Sequence, residues 1–84
     1  IAGAEVTKEM VQVDDSYIGK CYGARTNGGE EAIRLFATKE GILLDFVYTG
    51  KVAAGLIDYS RKDKFTDTQN VLFIHTGGNI ELFE

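Results

Sequence analysis

Ile42-Leu43-Leu44-Asp45-Phe46-Val47-Tyr48-Thr49-Gly50-Lys51-Val52-Ala53-Ala54-Gly55-Leu56-Ile57 changes its hydrophobic period half-way along. Ile42 to Leu44 is a continuous apolar run, too brief for a helix, and reads as a buried parallel strand extending as far as Val47. From Thr49-Gly50-Lys51 to about Lys62 the period becomes helical. Val52, Ala53, Leu56, Ile57 and Ser60 share one face there, with Lys51, Asp58, Arg61 and Lys62 away from it. Downstream, Val71-Leu72-Phe73-Ile74 is a second apolar, partly β-branched run, the pattern of a strand covered on both faces. Strand, crossover helix and strand make a βαβ unit, right-handed in about 98% of cases. The expected fold class is α/β: part of an open parallel sheet built on that unit.

Working outward, an earlier helix is expected from near Gly29 to about Glu40. Glu30 and Glu31 in its first turn complement the macrodipole, Gly41 stops it, and Ala32, Ile33, Leu35, Phe36 and Ala37 form its buried face. Tyr17 to Gly29, rich in glycine, reads as an irregular loop, and Asp63 to Asn70 as a polar one. Met10 to Asp14 alternates apolar and polar positions, which predicts a short half-buried strand. Asn79 to Glu84 can add a final helical turn. No repeat or linker divides the chain, so residues 1–84 read as a single unit.

Composition narrows the functional classes. Eighty-four residues with 44% hydrophobic and 26% charged content fall in the globular range, and a domain this small has a marginal core. A net charge of −4, with nine dispersed Lys and Arg, disfavours nucleic-acid binding. The apolar runs are far short of the roughly 20 residues that cross a bilayer, and no basic-then-apolar leader opens the chain, so a cytoplasmic setting and no membrane contact are expected. The single Cys21 excludes a disulfide framework and, with one histidine, leaves no expected metal site. Two oddities are that the chain starts at Ile1 rather than Met, as a processed product or fragment would, and that it has no proline.

In open parallel sheets, ligands bind beyond the carboxyl ends of the strands. There the first strand delivers Tyr48-Thr49-Gly50-Lys51 and the second delivers His75-Thr76-Gly77-Gly78, so two polar, glycine-containing segments converge. Each has an ordinary reading too. Thr49 suits an N-cap as well as a ligand hydroxyl. Tyr48 can simply pack its ring, Gly77-Gly78 can be a plain turn, and His75 a satisfied imidazole. Lys51 can bind an anion or lie exposed. No phosphate-loop motif is present. Asp14 and Asp15, adjacent in sequence, are not placed for paired acid/base work.

The stretch from Leu44 to Ile57, with Val71 to Gly78, Asp15-Ser16-Tyr17-Ile18-Gly19, Tyr22-Gly23 and Glu31-Ala32-Ile33-Arg34-Leu35, resembles the C-terminal segment of the D-cysteine desulfhydrase and 1-aminocyclopropane-1-carboxylate deaminase family. Those are pyridoxal-phosphate enzymes of the tryptophan-synthase-β fold type, so the resemblance implies a portion of a three-layer α/β lyase. It places Tyr48 and Tyr22 at the substrate as catalytic residues, Thr49 near the pyridine nitrogen, and Thr76 and Gly77 in the loop beside the cofactor ring. A carboxylate at position 49 would deepen the cofactor's electron sink, as in the deaminase branch. Thr49 implies instead the desulfhydrase branch, which releases pyruvate, ammonia and hydrogen sulfide from D-cysteine. Phe46 and Ala24-Arg25-Thr26 stand where the family usually has proline. The Schiff-base lysine and the phosphate cradle belong to parts of the family's sequence that have no counterpart here, so the 84 residues alone are expected to be inert. The expected partners are a small amino-acid substrate and either the remainder of the enzyme or further copies of the chain. The rival reading is a stand-alone, non-catalytic binding or self-association module, because two parallel strands leave edges open.

Overall fold

A computed structural model describes residues 5–66, 70–78 and 80 of the chain. Two helices form its frame: α1 spans Asn27–Glu40 and α2 spans Thr49–Arg61, with a single 3-10 turn at Lys8–Met10 ahead of them. α1 begins two residues earlier than the sequence predicts because Thr26, in extended conformation, caps it, its Oγ1 accepting from Gly29 N at 3.0 Å. It ends where expected. Gly41 adopts φ 67°, and its N–H returns to Ala37 O at 3.1 Å.

The helices pack through small residues at their N-terminal ends. A side chain added at Gly28 would stand 3.4 Å from Ala54 Cβ, and one at Gly50 would strike Asp45 O, the carbonyl that accepts from Gly50 N at 2.8 Å. Ala32, Leu44, Ala53 and Ala54 make the buried cluster, with Ile33, Phe36, Ile57 and Phe73 against it. Phe73 closes the cluster by its ring contact with Phe36, centroids 5.4 Å apart. Across the outside, Arg61 of α2 forks onto Glu31 of α1 with bonds of 3.1 and 3.2 Å.

The expected strands are corrected by what is seen. Met10 to Asp14 is not a strand: the 3-10 turn takes up Met10, and Asp14 instead folds an Asx turn by accepting from Ser16 N at 2.9 Å. Ile42 to Val47 and Val71 to Ile74 form no strand among the described residues either, so the helical part of the expected α/β order is present and the parallel sheet is not. The reason is physical. A strand exists only through a neighbour's ladder, and what joins these segments is a side-chain bond, His75 Nε2 to Leu43 O at 2.8 Å. Leu43, Leu72 and Ile74, read as buried, are exposed accordingly. The turn expected over 79–84 lies, apart from Ile80, outside the described residues.

The face of α2 read as solvent-facing is covered in part, over Lys51 and Asp58, while Arg61 and Lys62 stay exposed. The segment from Asp14 to Tyr22 runs antiparallel along it, tied in order: Tyr59 donates to Asp14 Oδ2 at 2.6 Å, Tyr17 donates to Asp58 Oδ2 at 2.6 Å, Lys51 Nζ donates to Ile18 O at 2.7 Å, and the hydroxyls of Tyr22 and Tyr48 meet. Between these ties the Tyr17 ring lies on Gly55, where an added side chain would come within 3.2 Å of it. Lys51 is therefore buried at 8% exposure, and Val52, read as a core residue, stands 60% exposed.

Candidate functional site

The N-terminal end of α2 is organised by Asp45. Its side chain is fully buried and accepts four hydrogen bonds: from Val47 N at 2.8 Å, Tyr48 N at 2.7 Å, Thr49 N at 3.0 Å and Thr49 Oγ1 at 2.6 Å. Thr49 Oγ1 in turn accepts from Asp45 N at 2.9 Å, closing the turn on itself. Burial opposes charge on Asp45. The Thr49 hydroxyl and the three amides outweigh it and hold the carboxyl below its ordinary range, so the group is an anion fixed at a helix N-terminus. The strand expected from Ile42 to Val47 gives Asp45 no role. The available signal was an Asp four residues ahead of a Thr at a helix start, the spacing at which a carboxylate can reach the orphan amides.

Thr49 is thus not the N-cap. It is the first helical residue, 1% exposed, with its proton committed to Asp45. A hydroxyl has one donor and two acceptor lone pairs, so one lone pair remains, and toward any further group Thr49 is an acceptor. The Tyr22 and Tyr48 side chains meet edge to face, ring centroids 6.0 Å apart at 63°, with a hydrogen bond between their hydroxyls. Tyr48 belongs to the Asp45 turn, whereas Tyr22 arrives on the loop before α1. A cavity of about 280 Å³ opens beside them, lined by Ile18, Cys21, Tyr22, Val47, Tyr48 and Lys51. On the other side of Lys51 a larger open groove of about 620 Å³ runs between α2 and the 71–76 segment, and Thr76 lies on it.

The segment 75–78 reaches the same turn. His75 Nδ1 accepts from Gly77 N at 3.1 Å, so that its Nε2 donates to Leu43 O, which is the neutral tautomer. Gly77 and Gly78 take φ values of 97° and 89°, open to glycine and strained for other residues. A Cβ on Gly78 would fall 2.8 Å from Asp45 Oδ1 and 3.2 Å from Tyr48 Cδ2. The structure therefore brings Tyr22, Tyr48, Thr49 and Gly77-Gly78 together around Asp45. Thr76 faces the neighbouring groove.

No protein-family model matches the chain. Curated relatives do. The chain is 51% identical over 69 residues to the D-cysteine desulfhydrases of Salmonella newport (strain SL254), Salmonella heidelberg (strain SL476) and Salmonella enteritidis PT4 (strain P125109), a match covering 82% of this chain. The chain belongs to the D-cysteine desulfhydrase family. It spans 21% of the length of those relatives. Against pyridoxal phosphate, the cofactor that the resemblance implies, the residues fit as one wall: an acceptor lone pair on Thr49 and a glycine turn that keeps side chains off Tyr48. Among the described residues no cluster of His, Cys, Asp or Glu could hold a metal ion, and no helix is long and apolar enough to cross a membrane.

Proposed function

We propose that this chain is the C-terminal portion of a cytoplasmic, pyridoxal-phosphate-dependent lyase that converts D-cysteine and water to pyruvate, ammonia and hydrogen sulfide. The observation that carries this reading is the 51% identity to D-cysteine desulfhydrases. The gathering of both tyrosines, Thr49 and the glycine turn at one helix end supports it. When bound, the cofactor supplies the electron sink that lets the bond from Cβ to sulfur break after the Cα proton has left. Thr49 accepts from the ring nitrogen when that nitrogen carries a proton, while its own hydroxyl donates to Asp45 behind it. Gly77 forms the edge of the ring pocket, and Thr76 lies outside it on the neighbouring groove. The Tyr22–Tyr48 pair stands at the substrate, where one phenol gives a proton to the departing hydrosulfide and its neighbour's hydroxyl stabilises the phenolate left behind. The catalytic lysine and the phosphate cradle come from the remainder of the protein.

The finer fold belongs to the same proposal. The runs 42–44 and 71–74 become neighbouring parallel strands once the remainder supplies the ladder, and their exposed Leu43, Leu72 and Ile74 are the surface it covers. The full-length protein with pyridoxal phosphate is expected to release sulfide and pyruvate from D-cysteine, and no 2-oxobutyrate from 1-aminocyclopropane-1-carboxylate. Absence of sulfide release would remove the desulfhydrase reading, and 2-oxobutyrate would replace it by the deaminase one.

A further inference from the structure

Lys51 is buried beside the Tyr22–Tyr48 pair. It lies in the first turn of α2, where the macrodipole disfavours a positive charge, and it is only 8% exposed. Among the described residues it forms no ion pair, and its ammonium makes one hydrogen bond, to the Ile18 carbonyl at 2.7 Å. A buried cation with a single neutral acceptor is costly, so the contact it makes is a specific one. That contact joins the segment of Ile18 to the start of α2, between the tie of Tyr17 to Asp58 on one side and the meeting of Tyr22 with Tyr48 on the other. Lys51 is three residues past Tyr48, and Ile18 four residues before Tyr22. After Ile18 the chain turns at Gly19, φ 79°, where an added side chain would strike Thr26 Cγ2 at 2.7 Å, so the course from the tie to Tyr22 is set by close packing.

We infer that Lys51 is a positioning residue, whose bond to the Ile18 carbonyl holds the Tyr22 loop so that the two phenols meet. The inference rests on the lyase reading only for its importance to catalysis; the geometry it concerns is independent of turnover. It also accounts for a lysine at a place lined by Ile18 and Val47, where an apolar side chain would bury more cheaply.

The test compares wild type with Lys51→Met, which fits the same lining and removes only the donors. Photochemical one-electron oxidation couples adjacent phenols to dityrosine, and peptide mapping of the full-length protein gives the yield of each pair. Tyr17–Tyr59, at a similar 6.3 Å between ring centroids, is the internal control. Removing a charge-assisted bond is expected to lower the Tyr22–Tyr48 yield about tenfold relative to the control. An unchanged ratio overturns the inference. If both pairs vanish together in the variant, wild type decides: Lys51 acetylated about tenfold or more slowly than exposed Lys20 and Lys39 supports the tie, since a bonded ammonium must first be released to react, and equal rates overturn it. Loss of sulfide release with an intact wild-type cross-link would count against the lyase reading and leave the tie standing.

Discussion

Asp45 decides what the other residues of the site can do. With four donors converging on it, truncation to Ala orphans three amides and a hydroxyl in a buried turn. Asp45→Ala is expected to cost about 2–4 kcal/mol, read as a lowered midpoint in thermal or urea unfolding. Gly50→Ala should cost about 1–3 kcal/mol in the same assay, because its Cβ would collide with the Asp45 carbonyl in a packed turn. On the proposed lyase reading, Tyr48→Phe in the full-length protein is expected to lower kcat about 10²- to 10³-fold while sulfide release stays measurable, since a phenyl ring keeps the packing and removes the proton. At this scale the sequence was legible for residue type more than for role. Tyr22, Tyr48, Thr49 and Gly77 could be picked out as residues of one site, and the structure gathers them at one helix end. That Asp45 binds Thr49, and that Lys51 is buried, depended on which surface covers α2, a matter no local pattern records.

The helices were legible because their determinants are local: the periodic apolar face of α1, the Gly41 stop, and the change of period at Thr49. The strands were not, because a ladder needs a neighbour. The seam between α2 and residues 14–22 was equally hidden, since it joins positions far apart in sequence by phenol-to-carboxylate bonds. It should respond to pH at both ends. Bonds from Ser16 first, and then from Tyr59, hold the Asp14 carboxyl down from 3.8 to about 2. A depressed carboxylate stabilises the fold above its unfolded value, so this contribution is present above about pH 4 and is lost as pH falls toward 2. The bond to Asp58 pushes Tyr17 up from 10.0 to about 12; its contribution is complete below pH 10 and is lost as pH climbs through 12. Near-UV circular dichroism of the tyrosines should therefore fall away in both windows before the far-UV helical signal does. A helical signal that collapses first in acid would contradict the seam.

At the scale of the molecule, the 84 residues carry apolar side chains for which α1 and α2 have no room. Among the described residues, Leu43, Leu72 and Ile74 stand in solvent on runs that form no strand ladder, a template for further pairing. Expressed alone, the chain is expected to self-associate in light scattering and to release no sulfide from D-cysteine above the free-cofactor background. Leu72→Glu should shift it toward monomer without restoring activity; a compact monomer from the unaltered chain would count against the covering role proposed for the remainder. The order of the seam has a kinetic consequence as well. Its ties enclose one another: the pair 22 and 48 is separated by 26 residues, 18 and 51 by 33, 17 and 58 by 41, and 14 and 59 by 45. Once the innermost has closed, each later tie needs only a short further closure, because loop entropy is charged on the residues still free. Loop entropy therefore favours closure from the middle outward, with the bond from Lys51 to Ile18 as the next tie that fixes the two phenols.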